Sequence, residues 1–352
     1  MLNRLFQKIF AFIYLFYKIS FSSWIKLYSS KAETVIWVKT NPIFSIKRYV
    51  LANDLLADVA LIESLVSNGI PFKIVIGKNI GRTCNSNIFY TVSENCNPYN
   101  VANYSASLFH VAEQLGKQGN YLYPKVDELK YWENKGYMQS QFVKHNINHP
   151  RTVILDRNYD KQEIANLKYP LLLKEVHSAG SRGISKILDQ SDLVGNLDRI
   201  WAKGHSQVLI QKLVDMRKDL RVVVLNSRVT SFYWRVNPTK EWRPTATSFG
   251  NNTEFDNFPK KWEDTFILYL KKMNLTTGAF DVAWEKDNTD SAPLILEVSP
   301  FYQLNPVLPE RFSGISYKKY KRKLFIYDSY YKKYIDVVFE NQKNITNLNL
   351  SR

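Results

Sequence analysis

Two cysteines, Cys84 and Cys96, are all the thiols that 352 residues contain. They are too few for a disulfide framework or a four-cysteine zinc site, and they fit a reducing compartment as two ordinary thiols. Long apolar runs are missing too. The greasy N-terminus holds its longest uncharged stretch from Ile9 to Tyr17, well short of the roughly 20 residues that cross a bilayer. No small-residue cleavage site follows it, which argues against a secretory signal. The body of the chain also lacks excess charge. Of a formal net charge of +16, residues 1–32 carry +5 and residues 317–352 carry +6, leaving +5 for the 284 residues between them. A nucleic-acid enzyme spreads its bases along a groove in the body, so no nucleic-acid partner is expected. Bases gathered at the two ends point instead to tethering on an anionic surface, a membrane first.

What is present suits a folded chain. The composition is 45% hydrophobic, 14% aromatic and 23% charged, enough to bury a sizeable core and unlike disordered, collagen-like or polytopic membrane sequences. The length suggests about two domains. No internal repeat or low-complexity segment is visible.

On a helical wheel, Arg4, Lys8, Lys18 and Lys26 fall within about 80° of one another. Leu5, Phe6, Ile9, Ile13, Phe16 and Trp24 lie elsewhere on the wheel. Residues 1–30 therefore read as an amphipathic helix lying in a membrane interface. A terminal helix packed on the protein's own body and a spanning anchor that tolerates Lys18 are the alternatives.

Beyond it, 34–38 and 73–76 read as short buried strands flanking a helical pattern over 50–67 that closes at Asn68-Gly69. That is a β-α-β unit, the start of a parallel sheet. With a further amphipathic helix at 101–116, residues 33–127 form a small α/β domain. From 128 the pattern changes to a helix at 134–146 and strands at 153–155, 170–176, 207–214, 220–225, 280–284 and 294–298. Alternating helices and mixed strands make this part α+β.

Three sets of residues in that part carry chemistry. Lys174 lies inside the apolar strand 170–176 and is followed by the small-residue loop Ser178, Ala179, Gly180, Ser181, Arg182, Gly183. Such loops expose backbone N–H groups that fold over phosphate oxygens, and the buried ammonium needs an anion. A plain hairpin with a snorkelling lysine has the same local pattern. Asp281 and Glu297 sit on neighbouring strands with Ser299 two residues on, a hard-oxygen set suited to Mg²⁺; strand acids on a solvated sheet face look the same. Arg221, Arg235 and Arg243 supply planar forks for phosphate or carboxylate oxygens, although each alone reads as a surface charge.

The order of these motifs resembles the ATP-grasp superfamily, of the carboxylate–amine ligase type and similar to ribosomal-protein glutamate ligase-like enzymes. The resemblance covers about 128–306 and implies an ATP-grasp domain over 128–316, a pre-ATP-grasp domain over 33–127 and a basic tail over 317–352. It implies that Lys135, following Asn134, and Lys174 hold the α and β phosphates, and that 178–184 closes over the triphosphate. It also implies that Gln211, Lys212, Leu213 and Val214 form the hinge whose backbone holds adenine. Asp219-Leu220-Arg221 matches the family's D-x-R step, placing Asp219 among the nucleotide contacts. Arg221, Arg235 and Arg243 would stabilise charge on the transferring phosphoryl group and the activated carboxylate. Asp281, Glu297 and Ser299 would ligate Mg²⁺, with Mn²⁺ as an alternative. Ser299 stands where the family usually has asparagine, and Asn305 lies nearby as a substitute oxygen donor.

The implied reaction joins an acid to an amine through an acylphosphate and needs no nucleophilic side chain, so His177 and the loop serines read as spacers. The ends of the chain suggest a cytoplasmic enzyme, peripheral on the inner face of the membrane, adding an amino acid to a lipid-linked or cell-surface glycan or peptide precursor. A kinase on the same nucleotide site, or a non-catalytic ATP-binding protein, are the competing readings.

Overall fold

The computed structural model describes residues 13, 16–17, 19–38, 53–91, 101–178, 180–181, 183–239, 241–245, 249–302, 304 and 329–340. The expectations for residues 1–12, for Ala179, Arg182 and Asn305, and for most of the basic tail lie outside them. The chain divides into two compact units. One comprises 1–96, 108–126 and 303–352; the other comprises 97–107 and 127–302.

The first unit begins with α1 (Phe21–Leu27), β1 (Thr34–Val38), α2 (Asn53–Ser67) and β2 (Phe72–Ile76). It continues with β3 (Asn87–Phe89), α3 (Val101–Lys117), whose first seven residues fall in the other unit, and β4 (Tyr121–Tyr123). Its sheet has the order β2-β1-β3-β4 with every pair parallel. The two short strands β3 and β4 add to the pair read from the sequence. Helix α2 buries Leu56, Ala60, Leu61 and Leu65 and ends at Gly69, whose φ of +66° only glycine adopts without strain. Helix α1 packs on this unit's own body. Trp24 donates its indole N–H to Glu63 at 2.7 Å and meets Phe72 edge-on, while Phe21 and Ile25 stay exposed. For its described part, then, the N-terminal segment takes the body-packed arrangement on one side and leaves an apolar side uncovered. Residues 329–340, helical and inside the basic tail, belong to the same unit, where Phe339 stacks on Phe89 at 6.2 Å. No helix among the described residues is long and apolar enough to cross a membrane.

The second unit carries two sheets. Helix α4 (Lys135–Lys144) leads into β5 (Thr152–Asp156), α5 (Lys161–Ala165), β6 (Leu171–Glu175), β7 (Ile184–Ile187), α6 (Gln190–Ala202) and β8 (Gln207–Lys212). These strands form an antiparallel sheet in the order β5-β8-β6-β7. Leu171, Leu173, Val208 and Ile210 bury one face of it against Leu193, Leu197 and Ile200 of α6. Then follow β9 (Lys218–Leu225), β10 (Arg228–Val236), β11 (Asn252–Glu254), α7 (Glu263–Lys272), β12 (Thr277–Ala283) and β13 (Leu294–Ser299). They pair antiparallel in the order β11-β10-β9-β12-β13.

One face of this five-stranded sheet is hydrocarbon. Leu220, Val222, Val224, Trp234, Phe280, Val282, Ile295 and Val298 pack with Phe266 and Leu270 of α7 and with Met138 and Phe142 of α4. Period-two alternation turns their neighbours to the opposite face. A bulge on β13 adjusts that alternation. Asp281 opposes Glu297 while Val282 opposes Ile295, so Leu296 is the extra residue. Were the strand regular through Leu296, Ile295 and Glu297 would share a face, and the carboxylate would point into the core.

Candidate active site

The polar face of the five-stranded sheet is organised as a row. Tyr233 on β10 opposes Arg221 on β9, Arg221 opposes Asp281 on β12, and Asp281 opposes Glu297 on β13. Two residues to one side of this row Arg235 opposes Asp219, and two residues to the other side Ser299 opposes Ala279. The pairing brings together six residues that the sequence reading had placed in one site: Asp219, Arg221, Arg235, Asp281, Glu297 and Ser299.

Four of these close an ion-paired chain. Arg235 donates from Nε and Nη2 to the two oxygens of Asp219 at 2.8 and 2.5 Å, and its Nη2 also reaches Asp281 at 2.9 Å. Arg221 donates to the other oxygen of Asp281 at 3.0 Å. Two acids and two bases neutralise one another in a place where an unpaired charge would be very costly. Burial pushes the Asp219 carboxyl above the usual carboxylate range despite Arg235 beside it. In Asp281 burial works the same way, but Arg221 and Arg235 together outweigh it and hold the group below that range.

Asp219 is occupied within the protein. The sequence reading placed it among the nucleotide contacts, but it is fully buried, and its oxygens accept from Arg235 and from the Thr245 hydroxyl at 2.8 Å. A side chain so enclosed acts by holding Arg235. Arg243 stands outside the ion-paired chain. Its Nε donates to Asn251 at 3.0 Å, and its Nη2 is buried with no hydrogen-bond partner among the described residues. Such a donor suits an incoming anion.

The lysines come from the other half of the unit. Lys135 is the first residue of α4, where the Asn134 side chain caps the helix by accepting from Tyr137 N–H at 3.1 Å. Its Nζ donates to Ser178 O at 2.5 Å and lies 3.1 Å from Ser178 Oγ, which pins the start of the glycine loop. Ser178 is thus more than a spacer. Within the loop Gly180, Ser181 and Gly183 have φ of +61°, +59° and +73°. A Cβ on Gly183 would lie 2.7 Å from a Glu175 carboxylate oxygen, so both backbone angle and space require glycine there. His177 meets the Glu133 carbonyl at 3.1 Å, and burial lowers its pKa.

Lys174 on β6 is buried, and its ammonium donates to Gln211 Oε1 at 2.6 Å. Burial pulls its pKa down to about 8; Glu297 and Asp281 lift it part of the way back, and Lys135 opposes them. The carboxylates of one sheet and the lysines of the other thus share one electrostatic environment. On the hinge, the Lys212 side chain turns outward to pair with Glu285, and Val214 is buried. Tyr233, Thr152, Thr245 and Glu285 were not singled out in the sequence. Tyr233 was within reach, since it shares the parity of Arg235.

Among the described residues no group of three His, Cys, Asp or Glu side chains could by itself hold a metal ion. The donor set nevertheless fits Mg²⁺, which is often bound by one or two carboxylates with the remaining positions filled by phosphate and water. Glu297, directly opposite Asp281 and making no ion pair among the described residues, is the better-placed of the two. The Ser299 hydroxyl donates to Phe301 O at 2.5 Å and accepts from Phe301 N–H at 3.2 Å, so it has less to offer a cation.

Residues 133–316 match the RimK-like ATP-grasp domain family, just over half of the chain. The chain belongs to that family. It is an ATP-grasp ligase, an enzyme that forms carbon–nitrogen bonds. A curated relative, the α-aminoadipate–LysW ligase LysX of Sulfolobus acidocaldarius, is 27% identical over 192 residues, spanning 52% of this chain and 67% of that one. D-alanine–D-alanine ligase of Bacillus anthracis shares the fold, with a TM-score of 0.58, 12% identity and coverage of 90% of this chain and 99% of that one. A RimK domain ATP-grasp protein of Sphaerobacter thermophilus does so with a TM-score of 0.50, 13% identity and coverage of 75% and 90%.

A pH dependence follows from Lys174. Only its charged form attracts an anion, and in the free ATP-grasp domain that form is lost as pH rises through about 8. Nucleotide affinity is expected to be flat below that pH and to fall about tenfold per unit above it. Titration calorimetry from pH 6.5 to 9.5 checks this, and the same slope in Lys174→Met would assign the titration to another group.

Proposed function

We propose that this enzyme joins a substrate carboxylate to an amine through an acylphosphate. The observation that carries the reading is the paired row of Arg221, Asp281 and Glu297 on one sheet, sharing an electrostatic environment with Lys174 and Lys135. Lys135 and Lys174 hold the α and β phosphates, and the 178–183 loop covers the β and γ phosphates, excluding water that would hydrolyse the intermediate. The backbone of 211–214 holds the base. Asp281 and Glu297 hold Mg²⁺, or Mn²⁺ through the same hard oxygens. When bound, the metal neutralises charge on the β and γ phosphates.

A carboxylate oxygen attacks the γ-phosphorus and ADP leaves. The amine nitrogen then attacks the acyl carbon, phosphate leaves, and the nitrogen gives its proton to solvent. Arg221, Arg235 and Arg243 form the cationic wall beside the transferring group, positioned in advance by their carboxylate and amide partners.

The substrate we favour is a lipid-linked or cell-surface glycan or peptide precursor that receives an amino acid, met by an enzyme lying peripherally on the inner face of a membrane. The concentration of positive charge in the two ends and the uncovered Phe21 and Ile25 beside Lys26 support this. Incubation with libraries of acids and amines separates the chemistries. A ligase yields ADP, free phosphate and amide in equal amounts. ADP with a phosphorylated product and no free phosphate means a kinase, and no Mg²⁺-dependent turnover at all means a binding protein. For the surface, the full chain sediments with anionic vesicles and loses this on deletion of residues 1–30; unchanged sedimentation removes the membrane proposal.

A further inference from the structure

Lys174 does not sit alone in its strand. Its Nζ donates to Gln211 Oε1 at 2.6 Å, Gln211 Nε2 donates to Thr152 Oγ1 at 2.9 Å, and Thr152 Oγ1 donates to Pro150 O at 2.7 Å. The three donors come from β6, β8 and β5, which are adjacent in one sheet, with Thr152 and Gln211 directly opposite each other. Gln211 is only 3% exposed.

This chain of hydrogen bonds reads in one direction only. The Pro150 carbonyl can only accept, so the Thr152 hydroxyl spends its proton there and must accept from the amide. That turns the amide oxygen of Gln211 toward Lys174. A neutral acceptor takes one of the three ammonium protons and leaves the charge whole for an anion. A carboxylate in its place would neutralise part of it.

We infer that Gln211 is a positioning residue: its side chain fixes the Lys174 ammonium, and Thr152 fixes the orientation of the Gln211 amide, so the glutamine acts on nucleotide through the lysine. The inference rests on the nucleotide reading of the site and changes the part given to Gln211, which the sequence had grouped with the base-holding hinge.

A double-mutant cycle on the full-length protein tests it, with the affinity for a non-hydrolysable ATP analogue with Mg²⁺ as readout and steady-state KM and kcat beside it. Methionine matches glutamine in length, is one atom shorter than lysine, and packs well in a buried site, and thermal melting checks that each variant is folded. Gln211→Met is expected to weaken analogue binding about tenfold and to raise KM more than it lowers kcat, as loss of a hydrogen bond to a charged group would. Gln211→Glu, which keeps an acceptor at the same place but neutralises part of the ammonium charge, recovers less than half of that loss, and Thr152→Val loses about threefold because the amide is free to turn. In a Lys174→Met background, Gln211→Met has no further effect. An equal loss in that background means direct nucleotide contact and overturns the inference, as does unchanged affinity of Gln211→Met in the native background. If Lys174→Met alone leaves analogue binding unchanged, the nucleotide reading falls and the inference with it.

Discussion

Replacing Arg235 with methionine is expected to destabilise the protein by about 3–5 kcal/mol at neutral pH, the cost of stranding a buried charge. The guanidinium is the only cation that reaches both Asp219 and Asp281 among the described ion pairs. Asp281 keeps Arg221 when it goes. Asp219 keeps only the Thr245 hydroxyl, in a position with no exposure to water. Burial already raises the Asp219 pKa with the arginine present; without it the carboxyl takes up a proton on folding. A folded-state pKa raised above the unfolded value stabilises most below the unfolded value, near 4, and that stabilisation is lost as pH rises through the folded one. The deficit of Arg235→Met is therefore smallest near pH 4 and grows toward neutrality. Urea denaturation followed by tryptophan fluorescence at both pH values measures it. Asp219→Asn combined with Arg235→Met recovers more than half of the loss, since no charge is then left buried. A loss under 1 kcal/mol for the single variant would mean that Asp219 finds another partner.

Glu297→Gln is expected to act oppositely, removing activity while sparing the fold. Glu297 makes no ion pair among the described residues and is partly exposed, so the change stays within about 0.5 kcal/mol of the parent stability. Turnover falls on the order of 10³-fold, because charge stabilisation by a bound divalent ion is worth several kcal/mol and each 1.4 kcal/mol is a decade. Raising Mg²⁺ restores part of the rate, and the Mn²⁺ stoichiometry read by electron paramagnetic resonance in the presence of nucleotide falls. Asp281→Asn gives a mixed result, since that carboxylate also anchors Arg221 and Arg235. Unaltered turnover of Glu297→Gln over a Mg²⁺ series would remove this side chain from the metal site.

Much of this was legible in the sequence because it follows local rules. The long apolar strands, the helix ending at Gly69 and the lysine inside Leu171–Glu175 announce themselves by composition and punctuation. The strands Asn87–Phe89, Tyr121–Tyr123 and Asn252–Glu254 did not, being three residues each, too short for any period to register. Strand β10 was missed for another reason: its mixture of Arg, Thr, Ser and aromatic residues shows no clean alternation, and Trp234 and Arg235, on opposite faces, are both buried, so the usual contrast between inside and outside is absent at its end. Missing it hid Tyr233 and the lateral pairing of Arg235 with Asp219. The glutamine was visible, but its use was not, because what it does depends on which strands become neighbours.

The bulge at Leu296 makes this acid depend on counting as much as on chemistry. Removing Leu296 would leave a regular strand with Glu297 still opposite Asp281. Flattening the bulge with all six residues kept would instead transpose the end of β13, turning Glu297 toward Phe266 and Leu270 and Val298 toward Arg221 and Asp281. Every residue type would be conserved, yet a carboxylate would lie in oil and a hydrocarbon where a cation belongs. Within residues 294–297, the kink that accommodates one extra residue matters more to the acid than which residue supplies it.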